Sequence, residues 1–225
     1  MTWIKICGTT NLEDAQLAVE AGADAVGFVF YEKSPRSIDP ETAREIVAKL
    51  PTKIEKVGVF VSQGAEKIAE MSERAKLTAI QLHPSDESAG KAVIEDLMNR
   101  VNSRLFVAVP GRMLGEEEGF GFFFSHEFLN RVSAIFLDSG TPQQPGGTGK
   151  VFDWHKVAPT AQALIKSIPI VVAGGLSNSN VGDAIRTLKP WGVDVASGVE
   201  RQPGKKDPEK VHAFVRAVRE AEKNI

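Results

Sequence analysis

The chain of 225 residues contains a single cysteine, and it stands at position 7. A lone thiol excludes an intrachain disulfide and cannot build a structural zinc site unaided. Charge of one sign is also missing. The 27 basic and 29 acidic residues are interspersed, for a net charge of −2, so no extended basic stripe can neutralise nucleic-acid phosphates or an anionic bilayer. Long apolar runs are absent: "AVGFVFY" and "IPIVVAGG" fall far short of the roughly 20 residues a membrane helix requires. The start shows no basic segment leading into an apolar signal core. His126, His155 and His212 have no ligand spacing with a carboxylate, so no metal is expected. These shortages predict a cytoplasmic protein with neither a nucleic-acid nor a membrane partner.

What is present is alternation. Eight short β-branched runs, "IKICG" (4–8), "AVGFVF" (25–30), "KVGVFV" (56–61), "AIQLH" (79–83), "LFVAVP" (105–110), "AIFLDS" (134–139), "PIVVAG" (169–174) and "VDVAS" (193–197), are separated by segments of helical spacing. Asn11, Asp39, Ser62, Asp153, Ser177 and Asp207 stand near the heads of those segments, where a short polar side chain can cap free amides. Strands alternating with helices imply parallel pairing, and nearly continuous apolar strands imply a sheet covered on both faces. Eight such units in this length predict one (β/α)₈ TIM barrel spanning residues 1–225 as a single catalytic domain. A doubly wound open sheet is the alternative, but the first turn, "CGTTN", lacks the glycine fingerprint of a dinucleotide fold. The glycine-, acid- and phenylalanine-rich stretch 111–128 leaves the fifth helix without a clear place.

In such a barrel the chemistry gathers at the C-terminal ends of the strands. Glycine lets backbone approach a ligand closely, and the usual phosphate position follows strands seven and eight, so Gly147, Gly149, Gly174, Gly175, Ser197 and Gly198 are candidate phosphate contacts. Cys7 ends strand one and Asp138 ends strand six, placing two titratable groups at the barrel mouth as a candidate base and acid. Lys5 shares the inward face with Cys7, and a nearby ammonium favours a thiolate. Arg36, beside Pro35, can grip a second anion bidentately, which suggests a substrate bearing both phosphate and carboxylate. Gln81 and His83 alternate along strand four and can both face inward as neutral hydrogen-bonding groups.

Seven blocks, "KICGTTNLEDA", "GADAVGFVFYEKSPRSI", "VGVFV", "IQLH", "LDS…GGTGKVFDW", "VVAGGLSNSNV" and "VDVASGVERQPGKKD", run in order over nearly the whole chain and resemble the phosphoribosylanthranilate isomerase family of tryptophan biosynthesis. The resemblance implies an Amadori rearrangement of N-(5-phosphoribosyl)anthranilate without a cofactor. It implies that Asp138 protonates the furanose ring oxygen, Cys7 takes the proton from C2, Arg36 holds the anthranilate carboxylate and the glycine turns hold the phosphate. Two features depart from the family's pattern: Pro84, where glycine is common, and residues 111–128. The other functions considered are a histidine-pathway or bifunctional isomerase, which would carry aspartate at the place of Cys7 and bind two phosphates, and a non-catalytic phosphosugar-binding barrel. Barrels of this kind occur as monomers and as homodimers.

Overall fold

A computed structural model describes residues 1–84, 87–115, 125–140 and 151–223. Eight parallel strands close into a barrel in sequence order: β1 (Trp3–Ile6), β2 (Ala25–Val29), β3 (Glu55–Val61), β4 (Ala79–His83), β5 (Arg104–Pro110), β6 (Ala134–Asp138), β7 (Ile170–Val172) and β8 (Gly192–Val195). Each coincides with an expected run to within one residue at the start, with β1, β7 and β8 ending two residues earlier. The crossovers are α1 (Leu12–Ala21), α2 (Pro40–Val47), α3 (Ala65–Arg74), α4 (Glu87–Met98), α5 (His126–Leu129), α6 (Trp154–Leu164) and α7 (Val181–Leu188). After β8 comes a hairpin of β9 (Glu200–Gln202) and β10 (Lys205–Lys206), then α8 (Pro208–Glu222). In the fifth connection the described residues hold a 3₁₀ segment, Gly111–Gly115, after β5 and the single-turn α5.

The period-2 geometry of the strands sorts side chains into two layers. Ile4, Ile6, Val26, Phe28, Ile135, Leu137, Val193 and Val195 face outward onto the helices. Ala25, Val57, Ala79, Phe106, Ala134, Phe136 and Val171 fill the barrel interior. Trp3 stacks on Trp191 at 5.0 Å and meets Phe106 and Phe136 edge-on, which closes the N-terminal end of the barrel with aromatic surface. One step higher the interior turns polar. Lys5, fully buried, makes an ion pair of 3.0 Å with Asp194. The two residues are register partners across the β1–β8 seam where the barrel closes. Gly27 provides the room, since a Cβ there would lie 2.7 Å from Cys7 Sγ and 2.9 Å from Lys5 Cε.

Four of the expected caps are in place: Asn11, Asp39, Asp153 and Asp207 each accept amide hydrogens at a helix head. Ser62 and Ser177 are not caps. Ser62 sits in the left-handed region at φ 53°, and α3 begins after Gly64 without a side-chain cap. Asn180 precedes α7 instead, with its Oδ1 accepting from Ser177 N and its Nδ2 donating to the Gly175 carbonyl, so it shapes the loop rather than the helix end. The first strand is clasped by the last helix: Arg219 donates to the Thr2 carbonyl at 2.8 Å, and Glu222 accepts from the Thr2 amide. Among the described residues no helix is long and apolar enough to cross a membrane.

Removing one member of a buried ion pair leaves an uncompensated charge, so Lys5→Met is expected to lower unfolding free energy by about 3–5 kcal/mol. Lys5→Met/Asp194→Leu should recover most of that loss. Urea unfolding followed by circular dichroism decides it: a double variant no more stable than the single one would mean that the pair contributes more than the avoidance of a buried charge.

Candidate active site

At the C-terminal ends of the strands a cleft of about 800 Å³, open mouth included, is lined by Cys7, Tyr31, Ser34, Arg36, Gln81, His83, Asp138, Gly174, Gly175, Asp194 and Ser197 among others. That is within the range of small-ligand sites. Eight of the sequence-derived candidates therefore come together: Cys7, Arg36, Gln81, His83, Asp138, Gly174, Gly175 and Ser197. Gly198 lies one residue beyond the lining. Gly147 and Gly149 lie outside the described residues. His155 and His212 are exposed, as expected. Among the described residues no group of three or more His, Cys, Asp or Glu side chains could hold a metal ion.

Strand alternation carries Lys5 and Cys7 to the same side of β1, and the short segment beyond β1 keeps Cys7 nearly buried. Burial pushes the Cys7 thiol above its ordinary value, and Lys5 only partly offsets this. The expectation that Lys5 favours the thiolate thus holds in sign but not in outcome, because desolvation of the charged sulfur outweighs one ammonium already shared with Asp194. Lys5 itself stays cationic: burial works against its charge, but Asp194 and Cys7 overcome it. Asp138 ends β6 and accepts a 2.7 Å hydrogen bond from the Gly140 amide. Burial raises its carboxyl above the usual range despite that bond, so it retains a proton more readily than an exposed aspartate.

Gln81 and His83 face inward along β4, with Gln81 Nε2 and His83 Nε2 3.1 Å apart. Burial first, then Lys5, lowers His83 to about 4, so the ring is neutral at physiological pH. Gln81 Oε1 is buried without a partner among the described residues and is available to a ligand. Opposite these groups, the turns after β7 and β8 are built on conformations that a side chain resists. Gly174 and Gly175 have φ values of 76° and 67°. A Cβ on Gly174 would meet Ser139 Oγ at 2.3 Å, and one on Gly198 would meet the Leu176 carbonyl at 1.9 Å. The two loops are therefore locked against each other. The amides of Gly175 and Gly198 have no backbone acceptor among the described residues, which leaves them as donors for an anion.

Arg36 lies across Gly8, whose φ of 76° and missing Cβ admit the arginine stem. Its Nε and Nη2 are held bidentately by Glu200, at 2.9 Å to Oε1 and 2.7 Å to Oε2. Glu200 in turn accepts from Lys206 Nζ at 3.0 Å, and Lys206 also donates to the carbonyls of Cys7 and Ala196. Sequence reasoning did not assign roles to Asp194, Glu200 or Lys206. A signal existed for the first: an aspartate inside the apolar run "VDVA" requires a buried partner, and Lys5 inside "IKI" is the matching charge.

Comparison with known proteins agrees with this geometry. Residues 4–217 match the family model described as N-(5'phosphoribosyl)anthranilate (PRA) isomerase. The chain is 44% identical over 216 residues to the N-(5'-phosphoribosyl)anthranilate isomerase of Geotalea uraniireducens, covering 96% of this chain and 98% of that one. It superposes on the crystal structure of phosphoribosyl anthranilate isomerase from Thermotoga maritima with a TM-score of 0.79 at 39% identity, over 98% of this chain and all of that one. A phosphoribosyl anthranilate isomerase in complex with reduced 1-(o-carboxyphenylamino)-1-deoxyribulose 5-phosphate is similar with a TM-score of 0.77 at 37% identity, over 98% of this chain and 100% of that one.

Since burial raises the Cys7 thiol, its alkylation by iodoacetamide should be slow at neutral pH and accelerate through a midpoint above the ordinary thiol value. The urea-unfolded chain should show the ordinary midpoint. Mass spectrometry of the modified protein against pH measures both, and a folded-state midpoint below the unfolded one would show that Lys5 dominates after all.

Proposed function

The chain belongs to the N-(5'-phosphoribosyl)anthranilate isomerase family, and we propose that its cleft converts N-(5'-phosphoribosyl)anthranilate into 1-(o-carboxyphenylamino)-1-deoxyribulose 5-phosphate with Asp138 as acid and Cys7 as base. It is an isomerase of tryptophan biosynthesis. The observation that carries the residue assignment is the meeting, in one cleft, of two groups with raised proton affinity, a neutral polar wall and an anion-binding element at either side. Residues 1–225 act on this reading as one catalytic barrel on a small phosphorylated substrate.

The reaction moves hydrogen within one molecule: C2 is oxidised from a carbinol to a ketone while C1 is reduced from the imine level to the amine. No external oxidant or reductant is therefore needed. Asp138, whose proton affinity burial raises, gives its proton to the furanose ring oxygen as the C1–O bond breaks and the nitrogen lone pair forms the C1=N bond. The sugar is now an open Schiff base. Cys7 as thiolate removes the C2 proton, and the electron pair left on C2 forms the enolamine while the C1=N pair returns to nitrogen. Tautomerisation to the ketone completes the change. The phosphate is held by the amides after β7 and β8, and the anthranilate carboxylate by Arg36, so the ribose is stretched between two anchors with C1 and C2 over the acid and base.

Burial raises the proton affinity of both groups, and the reacting form needs the carboxyl protonated and the thiol ionised. A bell-shaped kcat/KM profile is therefore expected, with apparent values that belong to the coupled pair rather than to either residue.

Cys7→Ser and Asp138→Asn should each lower turnover on the order of 10²–10⁴-fold, with phosphate affinity nearly unchanged. One limb of the wild-type profile should coincide with the alkylation midpoint of Cys7. Steady-state isomerase assays across pH provide both measurements. Parental turnover in Cys7→Ser would remove the thiol from the mechanism.

A further inference from the structure

The Arg36 guanidinium has two hydrogen-bonding edges, and Glu200 occupies only one of them. The side edge, Nε with one proton of Nη2, is taken by the two carboxylate oxygens. The end edge, Nη1 with the other proton of Nη2, has no acceptor among the described residues, and Arg36 lines the cleft. Arginine can grip two carboxylates at once, one on each edge, whereas lysine has no such geometry.

We propose that Glu200, anchored by Lys206 in the β9–β10 hairpin, is the positioning residue that turns the free edge of Arg36 toward the substrate's carboxylate and so sets selectivity for a carboxylated aromatic amine. The proposal deepens the functional reading above and rests on its assignment of Arg36 to that carboxylate. Its geometry is unusually well determined. Glu200 accepts from Arg36, from Lys206 Nζ and from the Gly204 amide, while its own carbonyl accepts from Lys210 Nζ. Lys206 is fully buried, and its backbone amide donates to Asp14 Oδ2 beneath the first turn of α1. Gly204, at φ 75°, makes the tight turn and accepts from Thr10 Oγ1 through its carbonyl. The hairpin is thus pinned to the loop that follows Cys7.

The charges are arranged for the same purpose. Burial works against the Glu200 carboxylate, but Arg36 and Lys206 outweigh it and hold the group ionised across the physiological range. Burial lowers Lys206 from its usual value, partly offset by Glu200. Arg36 keeps its charge while two of its five N–H donors are satisfied inside the protein. An incoming carboxylate is therefore oriented by the two N–H groups of the end edge rather than captured by an unoriented cation.

The test compares two reduced, non-reacting product analogues by calorimetry, one bearing the ring carboxylate and one with hydrogen in its place. The wild-type protein, Arg36→Lys, Glu200→Gln and Glu200→Asp are measured alike. Glutamine preserves shape and removes the charge; aspartate keeps the charge beside Lys206 and shortens the reach, which guards against a poorly folding first variant. Glu200→Gln and Glu200→Asp are each expected to reduce the affinity ratio, carboxylated over uncarboxylated, by about 10-fold, the scale of a misplaced binding group. Arg36→Lys should reduce it at least as much. An unchanged ratio in both Glu200 variants with a reduced one in Arg36→Lys would overturn the positioning role and leave Arg36 in place. An unchanged ratio in all three would overturn both, since Arg36 would not hold the carboxylate. Equal losses for the two analogues would mean a general loosening of the hairpin and would likewise overturn it.

Discussion

The Lys5–Asp194 ion pair is the interaction on which the rest of the structure turns. It crosses the seam where the first strand meets the eighth, so the hydrogen-bonded closure of the barrel and the pairing of the two charges occur at the same register position. A one-residue slip of either strand at that seam would turn its charge out of the barrel and leave the other buried without a partner, so the pair helps to specify the register. It also divides the interior. Below it the barrel is filled by aromatic and aliphatic side chains; above it lies the cleft. The buried ammonium acts on each titrating group around it, drawing Cys7 and Asp138 down against the upward pull of burial and helping to keep His83 neutral.

The cleft is consequently polar without being strongly charged. Asp194 is paired with Lys5, burial raises the proton affinity of Asp138, the histidine is neutral, and one edge of Arg36 is committed to Glu200. On the proposed reading, what remains to meet a substrate bearing a phosphate and a carboxylate is a set of oriented donors: backbone amides on one side, the free guanidinium edge on the other. Preorganised donors of this kind need little rearrangement as charge shifts during reaction.

Much of this was legible in the residues. All eight strands follow from β-branched runs at regular spacing, because a parallel barrel strand is apolar on both faces and reads as a continuous block. Asn11, Asp39, Asp153 and Asp207 gave true helix heads because a short side chain followed by helical spacing has few other uses. Ser62 and Ser177 did not, since serine serves loops as readily as caps; Asn180 carries the loop after β7 through a carbonyl that only the fold brings near. The single turn of α5 could not be read from a stretch where glycine and phenylalanine compete. Arg36, Gln81 and His83 were found by strand parity and loop position. Glu200 and Lys206 were not, because their partners lie 164 and 199 residues away, and no local pattern encodes contacts of that separation. Lys5 and Asp194 were the intermediate case: each was visible as an isolated charge in an apolar run, but their pairing required the barrel to be closed in thought.

The clasp between the two ends of the chain bears on how the protein is made. The strand that leads to the thiol leaves the ribosome well before its partners, which are β8, the buried ammonium of Lys206 and the side chains of Arg219 and Glu222 on α8. At synthesis rates of about 5–20 residues per second, β1 waits on the order of ten seconds or more for them, with one edge of its ladder open. For that interval the nascent sheet has an unpaired flank of the sort that recruits other chains. The burial that governs Cys7 in the finished barrel does not yet exist, so during translation the sulfur is an ordinary exposed thiol. Closure of the site thus waits on the last strand of the barrel, and a chain interrupted before β8 would hold only seven of the eight strands and lack Asp194 and the turn that carries Ser197.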